Sequence, residues 1–271
     1  MGNAVDLQAL LPASPQERLI LALDGCDGEE ALTLAERIPG LCWVKVGLEL
    51  FISTGPGIVT QLRNRGLRVF LDLKFHDIPA TMAGACRRAA VLGAGLLTVH
   101  ASAGMEAMAM AQQAADEATT AVGLPSPLLL GVTVLTSWRP QPFRQQLAIA
   151  NPLPAHVEHL AQLAAQAGLR GCVCAPRDAA QLHRHQPAMA LVTPGIRLHP
   201  VQGDDQARTM TPMEAMAAGA TWLVVGRPVT QAVDPGLVFA QFCRQVAAAP
   251  PPQASTGASA SSLPGQPGRL G

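Results

Sequence analysis

Eight short apolar runs, each followed by a stretch with helical spacing, constrain the fold of this chain more than any other feature. They are RLILALD (18–24), CWVKVG (42–47), RVFLDLK (68–74), GLLTVH (95–100), PLLLGVTVL (127–135), GCVCA (171–175), ALVTPGI (190–196) and TWLVVG (221–226). Each is too short for a buried helix and mostly unbroken in apolarity, as expected of parallel strands covered by crossover helices. The segments between them carry helix punctuation. Asp27 with Glu30, ahead of EEALTLAERI, has N-cap spacing, and Thr211-Pro-Met-Glu214 has capping-box spacing with proline at the first helical position. Gly66, Gly93, Gly168 and Gly219 stand where helices should stop. Eight βα units predict an α/β fold closed into a TIM (β/α)8 barrel rather than an open doubly wound sheet, which uses fewer strands. No GxGxxG follows the first strand, which argues against a dinucleotide site.

The barrel is expected over residues 18–247, as a single catalytic domain behind an N-terminal extension at 1–17. From Ala248 to Gly271 the chain reads AAPPPQASTGASASSLPGQPGRLG, a tail expected to be disordered because it cannot bury enough side chain to order itself. Residues 137–153, SWRPQPFRQQLAIANPL, read as an elaborated loop after the fifth strand. A formal net charge of +0 gives no electrostatic case for nucleic acid or an anionic membrane surface. No 18-residue apolar segment suggests a membrane span, and the N-terminus lacks the charge and the apolar run of a signal peptide. The cytoplasm is therefore expected. Cys26, Cys42, Cys86, Cys172, Cys174 and Cys243 include no CxxC pair and read as reduced, small apolar residues. Cys172 and Cys174 would share a strand face, which leaves a metal site there as the minor alternative. His156, His159, His183 and His185 read as solvated helix faces, so no metal is expected.

Barrels of this kind place their chemistry at the C-terminal ends of the strands. Asp24 ends the first run, Lys45 lies near the end of the second, and Asp72 and Lys74 end the third, where alternation points both the same way. Of 19 cationic side chains only Lys45 and Lys74 are lysines, and both fall at strand ends. Arginine cannot supply a compact ammonium that gives up a proton near neutral pH; the plainer alternative is two lysines snorkelling at the barrel rim. The last two strands carry a different signal. TPGIR (193–197) leads into the loop LHPVQGDDQ, and the eighth strand ends VVGRPVTQA. Loops after strands seven and eight often hold phosphate in this fold. Arg197 and Arg227 can neutralise the dianion, and the N–H groups of Gly226 and Arg227 can donate to it.

From about Arg18 to Gln245 the sequence resembles the orotidine 5′-monophosphate decarboxylase family in its compact bacterial form. The resemblance rests on DLKFHDIPAT (72–81), with its Asp-x-Lys-x-x-Asp pattern, on VKVGLELF (44–51), on TPGIR (193–197) and on VVGRPVTQAVDP (224–235), in that family's order. It implies that Asp24 and Lys45 hold ribose hydroxyls, with Lys45 also bridging carboxylates. Asp72 would face the substrate carboxylate and Lys74 would donate the proton. In a homodimer with shared sites, Asp77, Ile78 and Thr81 would reach into the partner's pocket. Thr136 would contact the nucleotide, Arg197, Gly226 and Arg227 the phosphate, and Gln206, on a closing loop at 197–210, both phosphate and base. No cofactor and no metal are implied.

Elementary chemistry agrees. Loss of carbon dioxide from pyrimidine C6 leaves a carbanion with no adjacent electron sink, so an enzyme without a cofactor must stabilise charge electrostatically and protonate quickly. An ammonium at C6 does both, and an alternating array of Lys45, Asp72, Lys74 and Asp77 would be ordered before substrate arrives. Two enzyme alternatives share parts of this pattern: a metal-dependent barrel enzyme acting on a sugar phosphate, and an aldolase in which Lys74 forms a Schiff base. A non-catalytic nucleotide sensor would need the phosphate grip but not Asp72 and Lys74 together.

Overall fold

The computed structural model describes residues 7–199 and 209–252. Eight parallel strands pair in chain order and close into a barrel: β1 (Leu19–Ala22), β2 (Trp43–Gly47), β3 (Arg68–Phe75), β4 (Leu96–His100), β5 (Leu128–Val132), β6 (Gly171–Val173), β7 (Ala190–Thr193) and β8 (Trp222–Val225). The eight apolar runs are the eight strands. Each strand is slightly shorter than its run except β3, which extends one residue further.

Strand alternation divides the apolar residues between two cores. Ile20, Trp43, Phe70, Leu96, Leu130, Val192 and Trp222 fill the barrel interior. Leu21, Val44, Val69, Leu97, Leu129 and Leu223, one register step away, pack outward under the helices. Both faces being dry is why the runs read as continuous apolarity. Trp43 and Trp222 meet edge to face with ring centroids 6.1 Å apart, plugging the interior with two fully buried indoles. A helical turn at Leu7–Leu10 adds Leu7 to this interior core, with Leu10 near Gly95 where β4 begins. Part of the stretch expected to be an extension therefore closes the barrel at the end opposite the strand C-termini.

The covering helices start where the caps stand. Asp27 Oδ1 accepts from the N–H groups of Glu29 and Glu30 at 2.9 Å, and the Glu30 carboxylate accepts the Asp27 N–H at 3.0 Å. Thr211 and Glu214 repeat this reciprocal arrangement ahead of the helix Pro212–Ala217. Gly66, Gly93, Gly168 and Gly219 all have positive φ, the left-handed turn that ends a helix and that a Cβ disfavours.

The segment 137–153 is more than a loop. It holds a helix at Pro140–Gln146 that buries Phe143 against Trp138 and His156. Proline at its first turn presets the backbone, but seven residues are too few to show a helical period in sequence. Residues 253–271, most of the expected tail, and residues 200–208, Gln206 included, lie outside the described residues. Among the described residues no helix is long and apolar enough to cross a membrane.

Candidate active site

Strand closure brings the predicted charged residues to one rim. Lys45, on β2 and only 7% exposed, donates from Nζ to Asp24 Oδ1 at 2.7 Å, and its Nζ lies 3.6 Å from Asp72 Oδ2. Lys74 Nζ donates to the same Asp72 oxygen at 2.8 Å. Carboxylate and ammonium thus alternate from Asp24 through Lys45 and Asp72 to Lys74. Burial works to raise the pKa of Asp72, yet the Lys45 and Lys74 ammonium charges, with hydrogen bonds from Lys74 and Thr98, outweigh it and hold the carboxyl below its ordinary value.

Gly47 makes room for the first pair. A Cβ at this position would run into the Asp24 carboxylate and stand 2.9 Å from Lys45 Nζ, so any larger residue displaces the ion pair.

The end of β3 reaches the expected result by an unexpected route. Simple alternation would aim Asp72 and Lys74 together, but the β3–β4 register shifts between Leu71 and Phe75. Lys74 takes a left-handed backbone, φ 50°, which costs a residue with a Cβ roughly 1–2 kcal/mol. Its N–H donates to Thr98 Oγ1 at 2.9 Å, and Thr98 Oγ1 donates to Asp72 Oδ1 at 3.0 Å. Neither Thr98 nor Gly47 was singled out from sequence as a site residue. The only trace of Thr98 was one polar side chain inside the apolar run LLTVH.

A cavity of about 510 Å³ opens at this rim, within the usual size range of small-ligand sites. Asp24, Lys45, Asp72 and Lys74 line one side, while Thr136, Arg197, Gly226 and Arg227 complete it. Arg197 is buried, and the Ile196–Met210 bridge ties its chain segment to the start of the next unit. Gln231 also lines the wall, as does Cys174, whose thiol is pushed well up by its hydrogen bond with Cys172 and by burial.

Asp77, Ile78 and Thr81 stand apart from the cavity. All three are exposed, after β3 and in the first turn of the helix Pro79–Ala90, and the Asp77 carboxylate accepts the Ile78 N–H at 2.7 Å. Asp77 forms no ion pair among the described residues, so within one chain the alternating array ends at Lys74. His76 and His100 meet nearby as a tilted pair, ring centroids 5.2 Å apart; burial, His76 and Lys74 lower the pKa of His100 against the pull of Asp72. Among the described residues no group of three His, Cys, Asp or Glu side chains is placed to hold a metal.

Fold and rim together define an α/β barrel whose cavity, lined by an alternating set of opposed charges and by two arginines, suits a small anionic ligand. The family model for orotidine 5′-phosphate decarboxylase / HUMPS proteins matches residues 17–242, and the chain belongs to that family. It is 57% identical over 241 residues to the orotidine 5′-phosphate decarboxylase of Synechococcus sp. (strain WH7803), covering 89% of this chain and 99% of that protein. The same enzyme of Synechococcus sp. (strain CC9605) is 58% identical over 234 residues, covering 86% of this chain and 97% of the other. Among solved structures, orotidine 5′-phosphate decarboxylase from Lactobacillus acidophilus superposes with a TM-score of 0.75 at 33% identity, covering 84% of this chain and 98% of that one.

Proposed function

We propose that Lys74 is the proton donor in this chain's reaction, the decarboxylation of orotidine 5′-monophosphate to uridine 5′-monophosphate in pyrimidine nucleotide synthesis. The observation that carries the reading is the unbroken array of Asp24, Lys45, Asp72 and Lys74 on the wall of a cavity that also receives Arg197 and Arg227. The bond from C6 to the carboxylate breaks, carbon dioxide leaves, and the electron pair stays on C6. An ammonium already fixed beside C6 stabilises that pair without reorganisation and then transfers its proton to it. Water returns the proton to Lys74.

Asp72 holds both lysines in place and faces the departing carboxylate, whose loss relieves the repulsion between them. Asp24 and Lys45 suit the ribose hydroxyls, one accepting and one donating. Arg197, Arg227 and the Gly226 N–H grip the phosphate, and Thr136 contacts the nucleotide.

The site is completed in a homodimer, in which Asp77, Ile78 and Thr81 serve the partner's cavity. Support comes from the exposed apolar side chains after β2, β3 and β4, namely Leu48, Ile52, Ile78 and Met105, at the same end of the barrel as the rim. The six cysteines are free thiols, as a reducing compartment leaves them, and we place the reaction in the cytoplasm.

The test follows the absorbance of orotidine 5′-monophosphate with chelator-treated protein beside Lys74→Ala. Conversion that survives chelation and disappears in the variant supports the reading. Conversion that persists at the wild-type rate in Lys74→Ala, or that needs added divalent metal, would overturn the reading of Lys74 as the proton donor of a cofactor-free reaction.

A further inference from the structure

We propose that Thr98 is a positioning residue for the Asp72–Lys74 pair, its single hydroxyl setting the carboxylate and the lysine backbone together. The inference rests on the decarboxylase reading and goes beyond it to a residue that touches no substrate. Between the paired positions Leu71–Leu97 and Phe75–Val99, β3 takes four residue steps where β4 takes two. The surplus on β3 is the stretch that carries Asp72 and Lys74, and Thr98 is the residue facing it across the gap.

A bulge frees backbone groups from the ladder and re-aims side chains, provided something else satisfies those groups. Thr98 does this with both functions of one hydroxyl. Its oxygen accepts the Lys74 N–H at 2.9 Å and its hydrogen goes to Asp72 Oδ1 at 3.0 Å. Thr98 is fully buried, so water has no ready access to replace either bond. The left-handed backbone at Lys74 is thereby tied to the orientation of Asp72, whose other oxygen receives both ammonium groups. Losing the hydroxyl leaves the Lys74 N–H unsatisfied and the carboxylate free to turn. The reacting ammonium then loses its fixed position, and misplacement of about 1 Å can cost on the order of a hundredfold in rate.

Thr98→Val keeps the shape and removes the hydroxyl, whereas Thr98→Ser keeps the hydroxyl and removes the methyl. Steady-state turnover of orotidine 5′-monophosphate and hydrogen–deuterium exchange of the Lys74 amide are measured on wild type and both variants. The valine variant is expected to lose about tenfold or more in kcat with KM within about threefold, and its Lys74 amide to exchange faster. The serine variant is expected to recover most of the turnover and the slow exchange. Should valine prevent folding, Thr98→Ala takes its place with the same expectations. Wild-type kcat and slow exchange in the valine variant would overturn the proposal, as would a serine variant as impaired as valine. Wild-type protein inactive on orotidine 5′-monophosphate would remove the decarboxylase reading instead, while the exchange comparison would still decide whether Thr98 holds the Lys74 backbone.

Discussion

At the scale of single residues, the site depends on charges kept close together where burial alone would separate or neutralise them. Asp72 illustrates the balance: burial raises its pKa, two ammonium groups and two hydrogen bonds lower it further, and the net shift is downward. A carboxyl depressed on folding adds stability that is complete above its unfolded value, about 3.9, and is lost as pH falls through the folded value. Urea unfolding of wild type and Asp72→Asn should therefore show a stability difference that shrinks in wild type's disfavour as the solution is taken from about pH 5 toward pH 2; an unchanged difference would contradict the linkage. Gly47→Ala should separate Asp24 from Lys45 and lower kcat/KM by about tenfold or more, read by steady-state kinetics. The convergence of Asp24, Lys45, Asp72, Lys74, Arg197, Gly226 and Arg227 was legible in sequence because strand ends of a barrel share one rim, while Thr136 was reached only through the family resemblance. The roles of Gly47 and Thr98 were not. Each depends on which residue a neighbouring strand sets opposite it, and at Thr98 that register is broken by a bulge no local pattern announces.

Elements were the most readable level, since parallel strands buried on both faces leave a continuous apolar run and helices leave caps and stops. The short elements escaped: the turn at Leu7–Leu10 and the helix at Pro140–Gln146 span too few residues for a period to emerge, and tertiary contacts of Leu7 and Phe143 hold them. The paired indoles are the interior's largest contribution. Trp43→Ala should destabilise the barrel by about 3–5 kcal/mol, the usual cost of truncating a buried aromatic, and urea titration followed by circular dichroism would measure it. Thr211→Ala, which removes a cap from a partly exposed helix end, should cost about 1 kcal/mol in the same assay.

For the whole molecule, the opposed charges and the arginines are proposed to hold different parts of one substrate, and two copies of the chain to complete each cavity. Asp77 is exposed and unpaired with any cation among the described residues, while Lys74 lies in the cavity wall. If each cavity borrows Asp77 from the partner, mixing inactive Lys74→Ala and Asp77→Asn proteins should restore about a quarter of wild-type activity, since half of the randomly mixed dimers then hold one intact site of two. If the proposed phosphate grip contributes to the barrier and not only to affinity, phosphate-free orotidine should lose turnover as well as binding; unchanged maximal turnover would speak against that. The central claim is that Lys74 acts in the chemical step. The most direct measurement compares Lys74→Ala with wild type in both single-turnover rate on orotidine 5′-monophosphate and affinity for uridine 5′-monophosphate. The account predicts a rate loss of about a hundredfold or more with product affinity changed only a few-fold, whereas a variant that turns over at the wild-type rate, or that loses affinity and rate in equal measure, would contradict it.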